Sequence, residues 1–273
     1  MVNIASIRPL LDGIKNPILG LDAYGVIYNG HGFFEWIDPV FDYCNRKQIP
    51  IYLMTNNATQ SVAVIANNLQ KAGLAIPNNQ IISSGCGLET LPKYRQLIYN
   101  QPVFVYGYES AKSYVTHAGG HCVNAPQDAQ VIVLAAALQN DNHLVYLNTV
   151  SYLLKHPHIP VICINPDHYV ATNHGLMRVM GYYAHQMAVQ LNRSNFGWVG
   201  KPHRTFSDLV SAQIAPHTGS QLLFCDDNPC NVHRMVTDLG CMGAIITQTG
   251  VYARYQHLDS HHPNIVRMPR CCL

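Results

Sequence analysis

Pro17-Ile18-Leu19-Gly20-Leu21-Asp22-Ala23-Tyr24-Gly25-Val26-Ile27-Tyr28-Asn29-Gly30 is the stretch whose reading decides the fold. Ile18 to Leu21 is a short apolar run, the pattern of a strand buried on both faces of a parallel sheet. It ends at a lone carboxylate, Asp22, and Gly25 then permits a sharp turn. In an open α/β sheet the chemistry sits at the carboxyl ends of the strands. A carboxylate placed there can attack an electrophile or hold a cation. Taken alone, a strand followed by Asp and Gly is better explained as a turn. Its weight comes from what surrounds it.

Working outward, Trp36 to Lys47 has the spacing of an amphipathic helix, with Ile37, Val40, Phe41 and Cys44 on one side. Ile49 to Met54 reads as a second buried strand, closed by Thr55-Asn56-Asn57. These three could orient an anion or cap a helix over Ser61 to Ala72, and in isolation the cap is favoured. Ile81-Ile82-Ser83-Ser84-Gly85 repeats the pattern of a strand followed by small polar residues. From Pro102 a second alternation begins: strands at Val103 to Tyr106, Val131 to Leu138 and Val161 to Ile164, with helices at Glu109 to Ala118 and Leu144 to Lys155. Asn165-Pro166-Asp167 follows, then a return through His168, Tyr169, Asn173 and Arg178 to a helix at Tyr183 to Leu191. Strands at Phe196 to Val199, Gln221 to Cys225 and Ala244 to Thr247 complete the pattern, the first leading into Gly200-Lys201-Pro202 and the second into Asp226-Asp227-Asn228. Helices fall at Phe206 to Ala215 and Asn231 to Leu239.

Composition limits the alternatives. A chain of 273 residues that is 48% hydrophobic can bury a sizeable core in one large or two moderate domains, which excludes disorder. A net charge of +2 without a basic cluster excludes a nucleic-acid partner. The longest apolar run is too short to span a bilayer, and polar residues break up any signal-like segment near the start. Nine cysteines, odd in number and irregularly spaced, point to free thiols in a reducing cytoplasm. The final Arg270-Cys271-Cys272-Leu273 does not fit a lipidation box, which needs Cys where Arg270 stands.

Polar or charged residues thus close four expected strands: Asp22, Thr55, Lys201 and Asp226. Strand ends in a parallel sheet converge on one edge, so the four are expected to share a cleft. Leu21-Asp22-Ala23-Tyr24-Gly25-Val26, Thr55-Asn56-Asn57, Tyr106-Gly107-Tyr108-Glu109, Asn165-Pro166-Asp167, Gly200-Lys201-Pro202, Asp226-Asp227 and Thr249-Gly250-Val251 follow one another in order. In that order they resemble the motifs of the haloacid dehalogenase (HAD) superfamily, and within it the class IIA phosphatases of the 4-nitrophenylphosphatase and phosphoglycolate phosphatase type. The resemblance implies an α/β fold: a Rossmann-like parallel-sheet core, residues 1–99 and 179–273, carrying an inserted α/β cap over 100–178. It implies Asp22 as the nucleophile that takes up phosphoryl, with Thr55 and Lys201 holding the phosphate. Asp22, the backbone carbonyl of Tyr24 and Asp226 would bind magnesium. Asn56, Asn57 and Arg178 would face the substrate, a small phosphorylated molecule, while Asp167, at the expected cap edge, fits a turn as well as a substrate-facing role. The physics agrees: a carboxylate attacking a phosphate dianion is repelled unless cations neutralise the site first. The chain could act alone or as a homodimer.

Three positions depart from the family pattern. The Asp two residues after the nucleophile, the expected acid/base, is replaced by Tyr24; Cys225 stands where Gly usually precedes Asp226; and the later acidic place of the fourth motif is Asn231. Losing a positioned acid/base typically costs about 10²- to 10⁴-fold in rate. A slow magnesium-dependent phosphatase is therefore expected, with His31 as a candidate substitute acid/base. A catalytically silent phospho-ligand binder is the first alternative. The second is a 2-haloacid dehalogenase, suggested by Asp22-Ala23-Tyr24-Gly25 but opposed by the acidic Asp226. Cys225 is expected to be packing rather than a nucleophile, and His257, His261 and His262 a polar tail rather than a metal site.

Overall fold

Seven strands, all paired in parallel, form the larger sheet in the order Val2–Asn3, Ile265–Met268, Met242–Ile246, Gln221–Asp226, Pro17–Leu21, Ile51–Thr55, Ile81–Ser83. This computed structural model describes residues 2–136, 143–172, 175–192, 195–215, 217, 219–253 and 262–273. The period of two in the strands decides which way each side chain points. Leu19, Leu21, Ile51 and Leu53 enter one apolar cluster, with Val40, Phe41 and Ile65 from the helices Asp38–Lys47 and Val62–Lys71. Ile18, Tyr52 and Met54 enter the other, against Phe206, Leu209, Val232 and Val236 of the helices Arg204–Ile214 and Pro229–Leu239. Both faces are covered, which is why these strands read as unbroken apolar runs.

The chain moves from Pro17–Leu21 outward to Ile51–Thr55 and Ile81–Ser83, and on its return lays Gln221–Asp226 against the opposite edge of Pro17–Leu21. The order of the sheet therefore reverses at Pro17–Leu21, and a crevice opens beyond its carboxyl end.

Between those passages lies a second parallel sheet of five strands: Phe196–Trp198, Val161–Cys163, Val131–Leu134, Pro102–Tyr106, His121–Val123. One face packs on Tyr94, Ile98 and Val115, and the other on Leu153, Met180 and Met187. A boundary at residue 178 does not match this sheet, because the helix Met180–Leu191 covers one face and Phe196–Trp198 is an edge strand. The physical reason is connectivity: joining Val161–Cys163 to a parallel neighbour requires a crossover, which Met180–Leu191 provides.

Other differences are local. The strand expected to reach Leu138 stops at Leu134; Ala135 and Ala136 are outside it, and 137–138 lie outside the described residues. The return segment contains an antiparallel hairpin, Tyr169–Thr172 with Gly175–Arg178. The histidines expected in a tail are only partly described: His257 and His261 lie outside the described residues, and His262 precedes the strand Ile265–Met268. The chain there re-enters the large sheet instead of trailing from it. The cysteines are all free. Among the described residues no helix is long and apolar enough to cross a membrane.

Candidate active site

Register places the central pair. Cys225 lies opposite Leu21, so the next residues, Asp226 and Asp22, leave adjacent strands side by side, and Asp22 N–H donates to the Cys225 carbonyl at 2.9 Å. Lys201 reaches between them: Nζ is 2.7 Å from Asp22 Oδ1 and 2.6 Å from Asp226 Oδ2. All three are buried. Burial drives the Asp22 carboxyl up to about 7, with Lys201 opposing the shift and Asp226 reinforcing it. Burial also works against the Lys201 charge, but the two carboxylates outweigh it and hold the ammonium more firmly protonated than usual.

Asp227 is the residue that motif reading left without a role. Its carboxylate joins Asp22 and Asp226 in one cluster, with one oxygen from each within 4.8 Å of the others. Burial, then repulsion from Asp226 and Asp22, pushes its pKa well above the usual carboxylate range. Asp227 Oδ2 also accepts from the backbone N–H groups of Val251 and Tyr252, at 2.8 and 3.4 Å. This gives Thr249-Gly250-Val251 its place in the site. Gly250 has φ +80°, and a Cβ there would stand 2.0 Å from Asp227 Oδ2, so only glycine lets the loop close over the carboxylate. The signal in the sequence was the doubled Asp at a strand end, which the family pattern masked by assigning only the first.

Asn231 stands against Asp226. Nδ2 donates to both oxygens of Asp226, at 3.2 and 3.1 Å, and Oδ1 is buried without a hydrogen-bond partner. Three carboxyl groups, one ammonium and an orphaned amide oxygen make an oxygen-rich donor set. That chemistry suits a hard divalent cation.

Asp22, Asp227 and Asn231 line a cavity of about 330 Å³ whose floor also includes Thr55 and Asn57. Its opposite wall is Asp167, Tyr169, Val170, Met177 and Val179, from the segment around the hairpin. Tyr24 crosses the gap, with its hydroxyl donating to the carbonyl of Ala171 on the hairpin strand Tyr169–Thr172.

The expected substrate-facing residues divide. Thr55, Asn57 and Asp167 line the cavity. Asn56 does not: it braces the structure behind it, donating to Asp167 Oδ1 at 2.8 Å and the Lys201 carbonyl at 2.9 Å while accepting from Lys201 N–H at 2.7 Å. Arg178 is exposed, its guanidinium 4.3 Å from the centre of the Tyr182 ring, and it is not part of the cavity wall. Asn173 lies outside the described residues. The cap of the helix after Thr55 is Ser61, which accepts from Val64 N–H, so Thr55-Asn56-Asn57 is free of that duty. His31 is exposed beside a separate groove against Ile65 and Asn68. A hydrogen bond shared with Cys271, together with burial, holds the Cys225 thiol well above its ordinary range, consistent with packing.

Residues 19–121 match a family model described as haloacid dehalogenase-like hydrolase. Solved structures share the fold over nearly the whole chain. A HAD superfamily protein of Cytophaga hutchinsonii, described as a possible sugar phosphatase, superposes with TM-score 0.77 at 23% identity, covering 90% of this chain and 89% of that one. A p-nitrophenyl phosphatase from Archaeoglobus fulgidus gives 0.76 at 18% identity over 93% and 95%. The 4-nitrophenylphosphatase of Thermotoga maritima gives 0.76 at 16% identity over 94% and 95%. A comparison with curated proteins found no match. In fold the chain is a HAD-type α/β protein, a Rossmann-like core with a cap. That architecture is shared with solved structures described as p-nitrophenyl phosphatases.

Proposed function

We propose that the chain is a magnesium-dependent phosphatase-type hydrolase that takes the phosphoryl group of a small phosphorylated molecule onto Asp22. The observation that carries this reading is the placement of Asp22 at the sheet's reversal point, hydrogen-bonded to Lys201 and facing a cavity floored by Thr55 and Asn57. The names of the structural neighbours point the same way, several being described as phosphatases. One of them, a glycerol phosphate phosphatase from Mycobacterium tuberculosis, is described in complex with calcium.

Asp22 and Asp226, joined by Asp227 and the backbone carbonyl of Tyr24, would hold the cation. Bound there, magnesium supplies the positive charge that lets an anionic nucleophile approach a phosphate dianion. The remaining work falls to the chain. Lys201 neutralises the site and restrains Asp22, while Thr55 and Asn57 offer a hydroxyl and an amide to phosphate oxygens. The five-stranded sheet with the helix Met180–Leu191, residues 102–198 in all, acts as the cap and excludes water. Tyr24, hydrogen-bonded away to Ala171, does not serve as acid/base, which slows the reaction. The same bond supports a second reading, a silent phospho-ligand binder whose cap is held closed.

Phosphate release from p-nitrophenyl phosphate, with and without magnesium, tests both. Magnesium-dependent release that Asp22→Asn removes supports the hydrolase. Binding of a phosphate mimic without turnover favours the binder, and magnesium-independent release refutes the assigned site.

A further inference from the structure

The family's acid/base position is occupied by Tyr24, yet one carboxylate in the cavity has no other task. Among the described residues three carboxylates line it: Asp22, Asp167 and Asp227. Asp22 is the nucleophile of the reading above, on which this inference rests. Asp227 belongs to the cation cluster, and its Oδ2 is held by two backbone N–H groups. Asp167 is different. Its Oδ1 accepts from Asn56 Nδ2 at 2.8 Å, which fixes the carboxyl plane, while among the described residues Oδ2 has no hydrogen-bond partner. It stands on the wall opposite the Thr55 and Asp22 strand ends, carried by the segment that follows the Val161–Cys163 strand.

We infer that Asp167 is the general acid and base of this hydrolase, doing from the cap side what Tyr24 no longer does from the core. In the first step an Asp22 oxygen bonds to phosphorus, the bond from phosphorus to the ester oxygen breaks, and the Asp167 proton passes to that oxygen, releasing an alcohol. In the second, Asp167 takes a proton from water as the water oxygen bonds to phosphorus. The phosphorus–Asp22 bond then breaks, leaving inorganic phosphate and the free carboxylate. Two further observations favour Asp167 over the alternatives. The desolvated cavity raises its pKa to about 6, where a carboxyl can both give and accept a proton near neutrality. The Tyr24 hydroxyl is engaged with Ala171, and His31 lies in another groove.

The test compares wild type, Asp167→Asn and Asp22→Asn on p-nitrophenyl phosphate and on a simple alkyl phosphate, with magnesium. An activated phenolate needs little protonation, whereas an alkoxide needs a full proton. Asp167→Asn should therefore lower kcat/KM on the aryl ester by less than about tenfold and on the alkyl ester by about 10²- to 10⁴-fold. It should also release a burst of p-nitrophenol, because breakdown of the phosphoenzyme loses its base. Equal loss on both esters, or no loss on either, would overturn the role of Asp167 while leaving the phosphatase reading intact. If Asp22→Asn retains wild-type activity, or wild type cleaves neither ester, the phosphatase reading itself falls and the Asp167 role falls with it. Thermal melts check that Asp167→Asn is folded, and Asp167→Ser carries the same expectation if it is not.

Discussion

The two large sheets of this chain are both parallel, both are covered on each face by helices, and both reverse their strand order once. What differs is the chemistry at their carboxyl ends. Strands of the larger sheet run out at Asp22, Thr55, Ser83 and Asp226, whereas those of the smaller run out at Tyr106-Gly107, Leu134-Ala135, Cys163-Ile164 and Trp198-Val199, the last two reaching Asp167 and Lys201 only on the loops beyond. A reversal point makes room for a site but does not make one. The larger sheet supplies the three clustered carboxylates, and the smaller sends Asp167 and Lys201 into the site from the segments after two of its strands. The same topology used twice, once with carboxylates at the strand ends and once with charged groups on the loops beyond them, separates what the fold provides from what particular residues add.

That contrast can be broken most directly at Asp22. Asp22→Asn should lower magnesium-dependent phosphate release by about 10³-fold or more, measured by steady-state kinetics. Activity that survives would mean the larger sheet is not where the chemistry occurs. Next in size is Lys201→Met, which leaves two buried carboxylates without their cation. Breaking such a pair typically costs about 3–5 kcal/mol, to be read from urea unfolding in the absence of metal. Magnesium should recover part of the loss, and equal stability of the two proteins would deny that the carboxylates are ionised together.

Asp167 tests the wall. Its folded-state pKa is raised to about 6, chiefly by desolvation, so the fold favours the protonated form. The stability this contributes is complete below the unfolded value, near 4, and is lost as pH rises through 6. Relative to Asp167→Asn, the metal-free wild type should therefore weaken between about pH 4 and 6, by up to roughly 3 kcal/mol. A constant difference across that range would remove the desolvated environment from the account. Smallest is Tyr24→Phe, which deletes one hydrogen bond between the two walls, worth about 0.5–1.5 kcal/mol. Amide exchange in Tyr169–Thr172 should accelerate, and unchanged protection would show that packing alone holds the hairpin.

Much of the larger sheet was legible because buried parallel strands announce themselves as apolar runs, and Pro17–Leu21, Ile51–Thr55 and Gln221–Asp226 each end within a residue or two of the expected place. Asp22, Lys201 and Asp226 were legible because motif order survives divergence. What was hidden depends on contacts between distant segments. Tyr24 and Ala171 are 147 residues apart, and no local pattern joins a phenol to that carbonyl. The brace role of Asn56 needs Asp167 and Lys201 in place, 111 and 145 residues along the chain. Met180–Leu191 looked like part of the core because helical periodicity records that a face is buried, not which sheet buries it.

The Asn56 side chain fixes more than a lysine. With one amide it joins the end of Ile51–Thr55, the backbone of Lys201 and the carboxylate of Asp167. Gly200, at φ +132°, lets the chain pass so close that a Cβ there would lie 2.5 Å from Pro166 Cδ. These three segments have almost no freedom to separate. The five-stranded unit is tied to the core where Asn56 joins residues 165–167 to 200–201, and again where Tyr114 reaches Ser83 and the Gln60 carbonyl. Asp167 is held at the first of these ties, on the same amide that holds the Lys201 backbone.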